Sequence, residues 1–126
     1  MEKGSVLYVR KSEFARESFI KKFADSSFFE VVNVAKNIEQ ALEIVKKQKP
    51  SIIVTGIFFE DGTAKDLIKG IESILTFRPH IVVSTVLSLD EAHKYSYKLA
   101  DRVFNDFDDE DILTKYFEHL FTSENI

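Results

Sequence analysis

The strongest constraint on the fold of this chain is an alternation: short, nearly continuous apolar runs are each followed by a stretch whose apolar residues recur at helical spacing. Ser5 to Val9 (SVLYV) is the first run, rich in strand formers, and behind it Ala15, Phe19 and Phe23 stand four apart from Ser12 onward. Phe29 to Val34 is the second, followed by a capping box of Asn37 and Gln40. Ile38, Ala41, Leu42 and Val45 then fall at i, i+3, i+4 and i+7, one face of a helix. The only two prolines, Pro50 and Pro79, each stand ahead of an apolar run, Ser51 to Thr55 and His80 to Ser84. A residue that cannot continue a helix there ends the preceding connection and releases the chain into a strand. Ala64, Leu67, Ile68 and Ile71 mark a third helix, and Ser88 with Glu91 opens a fourth running through Leu99. Arg102 to Phe104 is a short fifth strand, and Asp108 with Asp111 starts a last helix carrying Ile112, Leu113, Tyr116, Phe117, Leu120 and Phe121.

Strands apolar on both faces, alternating with helices, imply a parallel sheet covered on both sides. Right-handed crossovers leave few topologies for five βα units, of which the flavodoxin-like strand order 2-1-3-4-5 is the commonest. The expectation is an α/β fold, a (βα)5 chain with a single five-stranded parallel sheet, forming one domain over residues 1–126. Its functional crevice belongs at the carboxyl ends of strands 1 and 3, beside Arg10 and Lys11, the Gly56 to Thr63 loop, and Ser84-Thr85.

Composition removes several function classes. A net charge of −4 argues against a nucleic-acid surface, and the absence of cysteine excludes disulfides and thiolate metal sites. The longest apolar run, Ile52 to Phe59, is broken by Thr55 and Gly56 and is too short to cross a membrane. The opening MEKGSVLYVRKSE meets a charge too early for a signal peptide, and the lack of cysteine fits an expected cytoplasmic location. His80, His93 and His119 show no metal-ligand spacing. The acids Asp106, Asp108, Asp109, Glu110 and Asp111 lack the glycine and spacing of a calcium loop and suit a helix start. Without a nucleophile–base pair or paired acids at the strand ends, an enzyme is not expected.

With these elements in place, the chain resembles the receiver domain of two-component response regulators (the CheY-like superfamily) over nearly its whole length. The resemblance is carried by VLYVRKSEFARESF, NIEQALEIVKKQKPSIIV, GIFFEDGTAKDLIKGI, PHIVVST and KLADRVFNDFDDEDIL. It implies phosphoryl transfer to an aspartate after strand 3, Mg²⁺ held by two acids after strand 1, a switch hydroxyl after strand 4 and a lysine after strand 5. Most of that set is missing. The acceptor position is Gly56, the acidic pair is Arg10 and Lys11, and the lysine position is Asp106, or Asn105 with a one-residue gap. Ser84 retains the switch hydroxyl, while Glu60 and Ala64 replace the family's proline and glycine. Magnesium needs oxygen ligands, usually carboxylates. A unit charge at ~4 Å is worth about 4 kcal/mol at an effective dielectric near 20, so two cations in place of two anions oppose the ion. Mg²⁺ binding and aspartyl phosphorylation are not expected.

The resemblance therefore points to a degenerate receiver, or pseudo-receiver: a non-catalytic, phosphorylation-independent protein-interaction module in bacterial-type signalling. Two alternatives stay open, a small anion or nucleotide sensor at the strand-end pocket and a receiver phosphorylated elsewhere, such as on Asp61. The reciprocal sign change suggests an ion pair of Lys11 or Arg10 with Asp106, against the simpler reading that all three are solvated. In the family, the face of helix 4, strand 5 and helix 5 docks partners or a second copy. Tyr95, Tyr97, Tyr116 and Phe121 are the candidates there for a protein partner or a homodimer, beside the simpler reading that each is core.

Overall fold

A computed structural model describes residues 4–26, 29–74, 76, 78–85, 100–105 and 110–123. The elements run β1 (Gly4–Val9), α1 (Glu13–Phe23), β2 (Phe29–Ala35), α2 (Ile38–Gln48), β3 (Ile52–Thr55), β4 (Phe58–Phe59), β5 (Gly62–Thr63), α3 (Ala64–Ile74), β6 (His80–Thr85), β7 (Arg102–Asn105) and α4 (Glu110–Ser123). Five strands form one parallel sheet in the order β2-β1-β3-β6-β7. The expected helix from Ser88 to Leu99 and the Asp108 cap lie outside the described residues.

Alternation along β1 explains why its run is continuous. Val6 and Tyr8 enter one core layer with Phe19 and Phe23 of α1 and Phe117 of α4. Leu7 and Val9 enter the other, with Ile38, Ala41 and Val45 of α2 and Leu67 and Ile71 of α3. A central strand feeds both faces, so its buried positions Val6 to Val9 are filled by apolar and aromatic side chains in succession. Truncating one of these fully buried side chains, Leu7 for example, costs about 2–5 kcal/mol. Aromatic rings fill the first layer: Tyr8 stacks on Phe19 at 4.0 Å between centroids, and Phe23 meets Phe117 edge-on at 6.1 Å. Part of the chain's complement of twelve phenylalanines is thereby spent on the core.

Local chemistry sets the boundaries. Ser12 caps α1 by accepting from the Ala15 N–H, and Asn37 caps α2 by accepting from Gln40 N–H. The Gln40 side chain reaches back to the Lys36 N–H, one residue before the cap, rather than to the cap itself. α2 ends on Lys49, whose φ of 44° is left-handed, and Pro50 then turns the chain into β3.

One expectation is corrected. The segment after Gly56 is not an open loop: Phe58-Phe59 and Gly62-Thr63 pair antiparallel as a small hairpin. Gly62 makes the turn possible at φ 147°, and Thr63 then leads into α3, with Asp66 accepting its backbone N–H at 2.9 Å. The hairpin buries Phe59 and leaves Phe58 half exposed. No helix among the described residues is long and apolar enough to cross a membrane.

Candidate functional site

The carboxyl ends of β1, β3 and β6 leave a cleft of about 480 Å³, lined by Arg10, Lys11 and Ser12 from the β1–α1 connection, Gly56 and Ile57 before the hairpin, Phe58 at its start, and Ser84-Thr85 from β6. Parallel pairing places these segments side by side. Val9 pairs with Thr55 and Thr55 with Val83, so the residues that follow each strand emerge on one rim.

Arg10 dominates the cleft. Its backbone N–H donates to the Ala35 carbonyl at 2.9 Å, and its side chain turns inward over Gly56. Nη1 then donates to the Ser84 carbonyl at 3.2 Å, bridging the rim from β1 to β6. A Cβ on Gly56 would lie 2.9 Å from Arg10 Cδ and 3.2 Å from Nε. Any side chain at 56 therefore displaces the arginine. The glycine at 56 and the cation at 10, two separate features of the sequence, are one packing arrangement in space.

The connection itself is fastened from behind. Arg16, one turn into α1, donates through Nη1 to the carbonyls of Arg10 at 2.8 Å and Lys11 at 2.9 Å. Lys11 stands exposed on the cleft rim. Of the described residues that line the cleft, none carries a carboxylate, and Arg16 takes the backbone oxygens at positions 10 and 11. That donor set does not fit the magnesium ion that the receiver resemblance implies.

Other expected residues fall as follows. Asp61 turns away from the cleft: its two carboxylate oxygens each accept a backbone N–H at 3.0 Å, from Ile38 and Glu39 at the start of α2. Desolvation pushes this carboxyl up, but the backbone donors outweigh it and hold the pKa below its ordinary value. A carboxylate so used caps a helix and does not line the cleft. Asp106, Tyr95 and Tyr97 lie outside the described residues, and of Asn105 and Phe121 only the backbone is described. Tyr116 is half-buried rather than presented to solvent. It packs edge-on against Phe104, its hydroxyl hydrogen-bonds His80 Nε2, and burial raises its pKa, reinforced by Asp101 and opposed by Arg102. Phe117 is wholly buried and Leu120 packs on the same core, so much of the wide apolar arc of the last helix faces the sheet; Ile112 is exposed.

The sequence reading missed three features. The Arg16 clamp reads as an ordinary helix charge, with no local signal. Phe14 is 80% exposed at the start of α1, off the stripe of Ala15, Phe19 and Phe23, a misfit that helical spacing does reveal. At the opposite edge of the sheet, Arg78 meets Asp101 through both carboxylate oxygens at 2.9 and 2.8 Å, and Asp101 also accepts the Ile81 N–H at 2.7 Å.

No family model matches the chain, and no curated protein matches it either. Solved structures do. A LuxR-family two-component response regulator from Aurantimonas sp. SI85-9A1 superposes with a TM-score of 0.85 at 14% identity, covering 97% of this chain and 87% of its own. A two-component response regulator from Clostridium difficile gives 0.81 at 19%, covering 98% of this chain and all of the other (100%). The response regulator domain of Thermotoga maritima CheB gives 0.80 at 16%, covering 99% and 98%. At these identities the likeness establishes a shared fold: this chain has the α/β fold of response regulator receiver domains.

Proposed function

We propose that this protein is a phosphorylation-independent member of the receiver-fold proteins, a non-catalytic module that works by binding a protein partner in two-component-type signalling. The observation that carries this reading is the Arg10 side chain lying over Gly56 and reaching the Ser84 carbonyl. An aspartyl-phosphate switch needs a carboxylate nucleophile, a divalent cation and room for the phosphoryl oxygens. Here the nucleophile position has no side chain, a guanidinium lies across it, and a second cation, Lys11, stands beside it on the rim. Ser84 keeps the family's switch hydroxyl, yet its backbone is already tied across the cleft by Arg10. A module that cannot switch by phosphate acts through a constant surface, and the face of β7 and α4 is the one the receiver resemblance offers for a partner.

The test is incubation with Mg²⁺ and acetyl phosphate, followed by intact mass and amide NMR. The expected result is no added phosphate mass and no Mg²⁺-dependent shift at Arg10, Gly56 or Ser84. A stable phosphate adduct on any carboxylate would falsify the reading.

A further inference from the structure

The first helix has two differently built faces. Inward, Ala15, Phe19 and Phe23 pack on the core layer that holds Tyr8 and Phe117. Outward, Phe14, Glu17, Ser18 and Lys21 fall at i, i+3, i+4 and i+7, and all four are exposed. That spacing draws one continuous seam along the helix, of the kind that packs against a second helix. Phe14, at its head, is the most exposed large apolar side chain among the described residues. Its place outside the core stripe leaves its ring in water. Two neighbouring cations of the helix have partners within the fold: Arg16 clamps the carbonyls of residues 10 and 11, and Lys22 lies 5.6 Å from the centroid of the Phe23 ring. With the Ser12 cap, these contacts hold α1 in one orientation, so the seam is preorganised.

The seam is complementary to itself. An isologous contact brings the same patch of two copies together about a two-fold axis. With the helices antiparallel and the axis between Glu17 and Ser18, Phe14 comes opposite Lys21 of a second copy, and Lys21 opposite the second copy's Phe14. Glu17 then faces the second copy's Ser18 and lies one turn from its Lys21. One ammonium meets both a ring face and a carboxylate, twice in the dimer. Ser18, the smallest side chain of the seam, sits beside the axis and lets the two helices approach. A parallel pairing sets Glu17 on Glu17 and Lys21 on Lys21, like charge on like.

We propose that the outer face of α1 is a homodimer interface, two antiparallel α1 helices joined through Phe14, Glu17, Ser18 and Lys21. The occupant is a second copy because the pattern of ring, acid and base answers itself when inverted. This surface is not the face of β7 and α4, and the inference does not depend on the state of the cleft. An 11-residue helix is roughly 16 Å long, and the contact is smaller than a standard interface, so the dimer is weak, with a dissociation constant on the order of 100 µM.

Sedimentation equilibrium of the full chain over a concentration series tests it, using wild type, Phe14→Ser, Glu17→Lys, Lys21→Glu and an equimolar mixture of the last two. The wild type is expected to dimerise, and each variant alone to weaken the dimer about tenfold. Glu17→Lys sets lysine against lysine across the axis, and Lys21→Glu sets glutamate against glutamate. In the mixed dimer every lysine again meets a glutamate, so the mixture is expected to recover most of the wild-type association. All three positions are exposed, and unchanged thermal unfolding of each variant shows that the loss is one of association and not of folding. A wild type still monomeric at about tenfold above the expected constant would overturn the proposal. So would a mixture no tighter than either variant alone, or a dimer unmoved by Phe14→Ser, which places the contact on another face. A phosphate adduct in the Mg²⁺ experiment defeats the proposed function and leaves the dimer standing, whereas a monomeric wild type defeats the dimer alone.

Discussion

At the amino-terminal edge of the sheet, Arg78 is held by both carboxylate oxygens of Asp101, while at the carboxyl-terminal edge Arg10 is held by the backbone carbonyl of Ser84. The first arginine has its charge matched inside the fold. The second lays its stem over Gly56 and spans the cleft rim from β1 to β6. Asp101 does more than pair: it also accepts the Ile81 N–H and lies 3.7 Å from His80 Nδ1, so it stitches β6 to the residue before β7. The difference is one of geometry: a carboxylate fastens the strand starts, and an arginine stretched over a glycine bridges the strand ends. Two further described carboxylates serve the backbone. Asp61 and Asp66 each accept backbone N–H groups at helix starts, and neither lines the cleft.

The comparison breaks most visibly at Asp101. Asp101→Ala strands the partly buried Ile81 N–H and removes both Arg78 contacts. An unsatisfied donor costs about 1–3 kcal/mol and an exposed ion pair adds less than about 1, so the expected loss is about 2 kcal/mol by urea unfolding. A loss below about 0.5 kcal/mol would mean that this edge is no more structural than an ordinary surface pair.

Asp61→Asn sharpens the same contrast through pH. The amide keeps one acceptor for two N–H donors, so about 1 kcal/mol is lost at neutral pH. Because the folded pKa of Asp61 is depressed, its contribution is complete above its ordinary value of 3.8 and fades as pH falls through the folded value. The gap between wild type and variant should therefore close in acid; a gap independent of pH would remove the capping role.

Arg10→Gln removes the partly buried bond to the Ser84 carbonyl, for which the expected loss of stability is about 0.5–1 kcal/mol. Thermal and urea unfolding both measure it. If Arg10→Gln costs as much as Asp101→Ala, the cleft is a structural clamp and the contrast between the two edges disappears.

Much of the architecture was legible beforehand. Val6, Leu7, Tyr8 and Val9 form a run without polar breaks because β1 is covered on both sides, and Pro50 and Pro79 each sit just before a strand. Asn37 announced the start of α2 for a local reason, an acceptor placed within reach of the Gln40 N–H. The hairpin was not legible. Phe58-Phe59 and Gly62-Thr63 are two residues each, too short for any periodicity to register. Tyr116 was ambiguous for a related reason: an aromatic on a helix reads the same from sequence whether it meets a partner or, as its described contacts show, Phe104 and His80.

The sequence by itself determined the strand–helix alternation, which strands are covered on both faces, and the absence of an acceptor side chain at position 56. These depend on burial and backbone geometry within a few residues. Only the tertiary structure decided that Arg10 lies over Gly56 and reaches a carbonyl 74 residues away, and that Asp61 caps a helix that begins 23 residues before it. In a parallel sheet, strands far apart in the chain become neighbours. The partners of a charged side chain at a strand end are therefore set by strand order rather than by the residues beside it.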